Sequence, residues 1–116
     1  MTHANDSLKA HTSTENYYRH WILGFKFTDG VKAFADQCNA YWFINLIVSH
    51  QVDPNVKAES FQVWDLKRLN SNRFRAICTD GNKNQVTQQS IPFSDFPFDS
   101  ATIWLVEGVI LLPSEY

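Results

Sequence analysis

SFQVWDLKRL-NSN-RFRAICT, residues Ser60–Thr79, decides the fold. Apolar and polar side chains alternate along both arms, the period of a half-buried strand, and Asn70-Ser71-Asn72 between them is turn chemistry. Trp64 and Leu66 fall on one side of the first arm, Asp65 and Lys67 on the other. Two registers compete. A three-residue loop sets Trp64 against Cys78, Leu66 against Ala76 and Lys67 against Arg75, and gathers Trp64, Leu66, Phe74, Ala76 and Cys78 on one face. A two-residue loop sets Leu66 against Ile77 and Arg68 directly against Arg75, which is electrostatically unfavourable. The three-residue register is the one expected.

More sheet follows in the sequence. Asp80-Gly81 signals a hairpin, and the returning stretch Asn84–Ile91 is mostly Gln, Thr and Ser, which suits a solvent-facing edge. Pro92–Ser100 reads as a connection. Ala101–Val106 and Val109–Leu112 then flank Glu107-Gly108 as a second hairpin, apolar on both faces as the centre of a sheet would be.

Upstream, the pattern changes to helix. Thr28-Asp29-Gly30 supplies cap chemistry, and Val31, Phe34, Ala35 and Cys38 recur at i, i+3, i+4 and i+7. Asn39 tolerates the left-handed conformation that ends helices. A second helix, Ala40–Gln51, is apolar almost all round and must be covered on more than one side, with Asp53-Pro54 closing it. Before these, Thr12–Glu15 fits a capping box and Tyr17, Tyr18 and His20 read as a short helical turn ended by Gly24, with Phe25-Lys26-Phe27 extended. The expected fold is α+β: an antiparallel sheet of about four to five strands packed against two consecutive helices, with a short N-terminal helical turn. Residues 1–13 are expected as a flexible tail and 14–116 as a single domain.

Composition bounds the function. The chain has 116 residues, 44% of them hydrophobic and 15% aromatic, ample to close a core without metal or disulfide. The formal net charge is −2, which calls for neither nucleic acid nor an anionic membrane. The first ten residues lack the apolar run of a signal peptide, and the longest apolar run is half a membrane span, so a cytoplasmic protein with no membrane partner is expected.

The segments Thr14–His20, Phe27–Lys32, Ala40-Tyr41-Trp42, Phe61–Trp64, Asp80-Gly81-Asn82 and Leu112–Tyr116, in that order, resemble a family of small proteins from bacteria, phages and plasmids grouped as a domain of unknown function. The resemblance covers about Thr14 to Tyr116. It implies a mobile-element neighbourhood, where small proteins often act by binding host or rival machinery, and it implies no catalytic residue.

Candidate chemistry is sparse. Arg19 can grip a carboxylate or phosphate and His20 can exchange a proton near neutral pH, so Tyr18, Arg19, His20 and Asp29 form the candidate ligand-binding or enzymatic cluster. The bland alternative pairs Arg19 with Asp29 or Asp36 and uses His20 as a cap. No two of the four His have metal-binding spacing, and Cys38 and Cys78 fall on apolar faces where a thiol is inert. No nucleophile elbow, phosphate loop or dinucleotide fingerprint occurs, so no catalytic residue, metal or cofactor is expected.

The surface hint is charge. Phe61–Lys83 holds five bases and two acids, and Asn84–Tyr116 holds no base and four acids. Lys67, Arg73 and Arg75 share the outer face of the first hairpin and would suit an acidic protein or a phosphate backbone. Trp64 and Phe74 point inward, so that basic face is expected to lack interleaved aromatics. Phe93, Phe96 and Phe98 either plug the core or make an exposed sticky loop. The expected function is a small non-enzymatic binding protein with a protein partner. Alternatives are nucleic acid through the basic hairpin, a second copy of the chain, and a small enzyme using Tyr18-Arg19-His20.

Overall fold

The computed structural model describes residues 17–19 and 24–116, with Arg19 represented by its backbone. The Ser60–Thr79 hairpin is its centre. Strands β3 (Phe61–Asn70) and β4 (Arg73–Asp80) pair antiparallel with Trp64 opposite Cys78, Leu66 opposite Ala76 and Lys67 opposite Arg75. That is the expected register, reached by a two-residue turn with a register shift between Arg68 and Asn70. The bulge supplies the odd residue that keeps Trp64, Leu66, Phe74, Ala76 and Cys78 on one buried face.

The sheet is wider and less uniform than expected. Besides β5 (Gln85–Ile91) it includes β6 (Ser100–Val106), β7 (Val109–Leu111), β1 (Tyr17–Arg19) and β2 (Lys26–Thr28). Among the described residues it has seven strands in the order β1-β2-β7-β6-β3-β4-β5. It is mixed, because β2 runs parallel to β7 while the other neighbours are antiparallel. This corrects the antiparallel sheet of four to five strands. Strands β1, β2 and β7 have three residues each, too few to display an alternating pattern, and a parallel pair joining Lys26 to Val109, 83 positions on, has no local signal. Tyr17-Tyr18, expected as a helical turn, pairs with β2 instead.

Helix α1 (Asp29–Cys38) starts where Thr28 Oγ1 accepts from Val31 N at 3.3 Å and ends at Asn39 in the left-handed region, φ 52°. Its expected stripe, Val31, Phe34, Ala35 and Cys38, is buried. Helix α2 (Tyr41–Ser49) continues as a 3₁₀ turn over His50–Val52. Asp53 does not simply close it: its carboxylate caps a third short helix, α3 (Pro54–Lys57), by accepting from Asn55 N at 2.9 Å. The two-helix expectation is corrected accordingly.

Among the described residues, all three α-helices contribute to one core against one face of the sheet. Phe34, Phe43, Phe74 and Phe96 join in a chain of ring contacts, edge-on for Phe34–Phe43 and Phe74–Phe96 and tilted for Phe34–Phe96, with Phe96 5.9 Å from Phe34 and 5.8 Å from Phe74. Phe96 thus plugs the core, whereas Phe93 is 69% exposed. Arg68 fastens the loop that carries them. Its guanidinium donates to the carbonyls of Ser71, Phe96 and Phe98 and to the Asp99 carboxylate, and it lies 4.6 Å from the Phe74 ring centre.

Candidate functional site on the open face of the sheet

With the helices on one side, strand periodicity sends every second side chain to the other. Phe61, Val63, Asp65 and Lys67 of β3 lie beside Val106, Trp104, Thr102 and Ser100 of β6, and beside Thr79, Ile77 and Arg75 of β4. Lys26 and Val109 extend the row onto β2 and β7. Most of these side chains are partly exposed, in contrast to the inward set. An antiparallel sheet can leave one face to water, but such a face is normally polar. This one has two distinct ends.

One end is basic. Lys67 faces Arg75 directly across the strands, and Arg73 follows on the same side. Like charges directly opposed are unfavourable. Among the described residues Lys67, Arg73 and Arg75 form no ion pair or hydrogen bond, the ion pairs there being Lys32–Asp36 and Arg68–Asp99. Of the hairpin's bases, Arg68 is spent on the fold and these three are not. A cleft of about 540 Å³ lined by Lys67, Arg68, Leu69, Asp99 and Ser100 adjoins them.

The other end is aromatic. Phe61, Trp104 and Tyr116 form a cluster with ring centres 5.0 Å (Phe61–Trp104), 5.7 Å (Phe61–Tyr116) and 5.4 Å (Trp104–Tyr116) apart. Tyr116 is 74% exposed and the other two are partly so. Between the ends, Thr102 donates to the Asp65 carboxylate at 2.6 Å. Trp64 and Phe74 do point inward as expected, yet the face is not without aromatics. Phe61 shares strand parity with Lys67, a signal present in the sequence. Trp104 had none, because its strand is apolar on both faces.

Of the candidate cluster Tyr18, Arg19, His20 and Asp29, the described side chains are those of Tyr18 and Asp29. Tyr18 sits on β1 against Phe27, ring centres 5.6 Å apart, with Lys32 Nζ 5.6 Å from its ring. Its hydroxyl is hydrogen-bonded to Asp29, which raises its pKa above the usual phenol value. Along the same flank of α1, Asp36 accepts from Lys32 at 2.8 Å and from Tyr41 at 2.7 Å. That pair of donors holds the Asp36 carboxyl below its ordinary value. Tyr18 and Asp29 therefore come together, in a partly exposed polar ladder. The Arg19 side chain, His20 and the Thr12–Glu15 capping box lie outside the described residues.

A second polar grouping is structural. Gln51 and Gln62, 3% and 1% exposed, exchange amide hydrogen bonds of 2.9 Å at the base of a cleft of about 300 Å³. Gln51 also donates to Ile47 O; Gln62 donates to the carbonyls of Val56 and Glu59 and accepts from the Trp64 indole. The amides are satisfied by the protein itself, so neither is aimed at a ligand. His50 lies 5.4 Å from the Trp64 ring centre and bonds Gln89 at 2.7 Å. Burial pushes both thiols up, Cys78 to about 12, away from nucleophilic use.

Among the described residues no three His, Cys, Asp or Glu side chains are grouped to hold a metal, and no helix is long and apolar enough to cross a membrane. Residues 2–116 match the model of a family described as a family of unknown function, DUF6876. Neither a curated protein nor a solved structure matches the chain.

Proposed function

The chain belongs to DUF6876, a family of unknown function that supplies no activity to carry over, and we propose from its own surfaces that it is a non-enzymatic binding protein. The contact surface is the open face of the sheet, and the partner presents negative charge to Lys67, Arg73 and Arg75. One observation carries this reading: three cations without partners among the described residues stand together on one flat face, two of them directly opposed. A like-charged pair weakens the hairpin that holds it, and an anion seated between the two offsets that cost. The mobile-element setting that the sequence resemblance implies, in bacteria, phages or plasmids, fits a small cytoplasmic binder acting on other molecules. A soluble polyanion matrix such as heparin tests the surface. The protein, although net −2, should be retained at low salt. Lys67→Glu with Arg75→Glu should abolish retention, while Lys57→Glu with Lys83→Glu, equal in net charge, should not. Equal loss in both pairs would remove the open face from the proposal.

A further inference from the structure

We infer that the partner of the open face is a single-stranded nucleic acid, with phosphates held by Lys67, Arg73 and Arg75 and bases stacked on Phe61, Trp104 and Tyr116. The inference rests on the reading of that face as a contact surface and names what occupies it.

Cations alone fit any polyanion, and exposed rings alone fit any apolar partner. Both ends on one face fit a partner that carries negative charge and flat rings on one chain. Lys67 lies six residues from Phe61 on the same strand, a span of roughly 20 Å at the rise of a β-strand. A single nucleotide cannot bridge that distance, whereas a strand of several nucleotides can. Base–aromatic stacking needs unpaired bases, because a duplex hides its base faces and shows only phosphates. An acidic peptide would satisfy Arg73 and Arg75 but leave the ring cluster unused. Guanidinium forks match phosphate oxygens two at a time, and two of the three cations are arginines. One carboxylate on this face, Asp65, is engaged by Thr102 at the waist between the two ends. A strand laid along β3 can therefore cross Asp65 at base level while its phosphates gather at the basic end.

The test uses the full chain and three fluorescent probes at low salt: an oligouridylate of about ten nucleotides, within the span of one small binding module, a duplex of equal length, and polyglutamate. The expected result is anisotropy change with the oligouridylate and quenching of tryptophan fluorescence. Lys67→Ala/Arg73→Ala/Arg75→Ala should weaken binding and lower the salt slope by about 2, as three single-strand phosphate contacts require. Trp104→Leu should weaken binding about tenfold and remove the quenching, while Trp104→Phe, which keeps a ring, should retain most of the affinity. Binding of polyglutamate but not of the oligouridylate, lost in the triple variant, would overturn the nucleic acid while leaving the contact surface standing. Duplex binding equal to single-strand binding, with Trp104→Leu without effect, would overturn the single-strand assignment. Silence with all three probes would overturn both readings.

Discussion

Gly30 and Glu115 are 85 residues apart in sequence, yet Gly30 N donates to Glu115 Oε2 at 3.2 Å. The other carboxylate oxygen accepts from Thr28 Oγ1 at 2.6 Å and from Leu112 N at 2.9 Å. The last turn of the chain thus caps the first turn of α1, where a negative charge meets unpaired amides and the positive end of the helix dipole. A Cβ on Gly30 would lie 2.8 Å from that carboxylate, which must then give way. Alanine ordinarily gains about 1 kcal/mol over glycine within a helix. Here Gly30→Ala should lose about 1 kcal/mol, and in a Glu115→Ala background it should become neutral or stabilising. Denaturant unfolding of the four proteins measures the coupling. The cap at Thr28 was legible in the sequence; the reach of Glu115 to it was not, since nothing local marks a carboxylate that acts across the whole chain.

The thiol of Cys78 gives a pH prediction. Burial, and after it the charges of Glu59 and Asp80, push it to about 12 from about 9. Between those values the unfolded chain releases a proton that the folded chain keeps. Stability from this group is therefore complete below about pH 9 and falls as pH rises toward 12. Cys38 shifts in the same direction. Cys78→Ala should flatten the alkaline fall in a pH series of denaturant unfolding, and neither native thiol should react with a maleimide at neutral pH until the protein is unfolded.

Elements are where sequence reading succeeded and failed for definable reasons. The β3–β4 register, the break at Asn39, the buried stripe of α1 and the polar edge β5 all follow from alternation, helical spacing or turn chemistry within about ten residues. The parallel β2–β7 pair and the short β1 do not, because three residues carry no period and their partners lie outside any local window or in an equally short strand. The Gln51–Gln62 pair was invisible for a related reason: Gln62 has the parity of Trp64 and Leu66 and is a polar residue at a core position. It ties the 3₁₀ turn and α3 to the sheet. Gln62→Leu would strand the Trp64 indole N–H and the Gln51 amide oxygen and remove the side-chain donor to the Glu59 carbonyl, while the Val56 carbonyl keeps Glu59 N and the Gln51 amide nitrogen keeps Ile47 O. At about 1–3 kcal/mol for each buried group left unsatisfied, a loss of at least about 2 kcal/mol is expected in urea unfolding. A loss under 1 kcal/mol would show that the pair is not a clamp.

At the scale of the whole molecule, one layer is committed to folding and the other is not. Trp64, Phe74 and Cys38 close the core beneath the helices, while the opposite side of the same sheet carries cations that have no partner among the described residues and rings that are partly or largely exposed. A surface kept for binding should trade against stability. Lys67→Glu would place an opposite charge across from Arg75, so it should raise stability by a few tenths of a kcal/mol while weakening any polyanion contact. Thermal unfolding beside heparin retention checks both signs. The sequence disclosed the basic half of this surface through the hairpin register, and Phe61 through parity, but Trp104 sits in a strand that is apolar throughout and only its neighbours decide which way it faces.

Indole N–H resonances give the most direct measurement, because tryptophans stand on both sides of the sheet. On titration with oligouridylate the Trp104 signal should shift progressively while those of Trp64, in the core, and Trp42, on the helical side, hold their positions. A stationary Trp104 signal, or a shift confined to Trp42, would contradict the assignment of function to the open face.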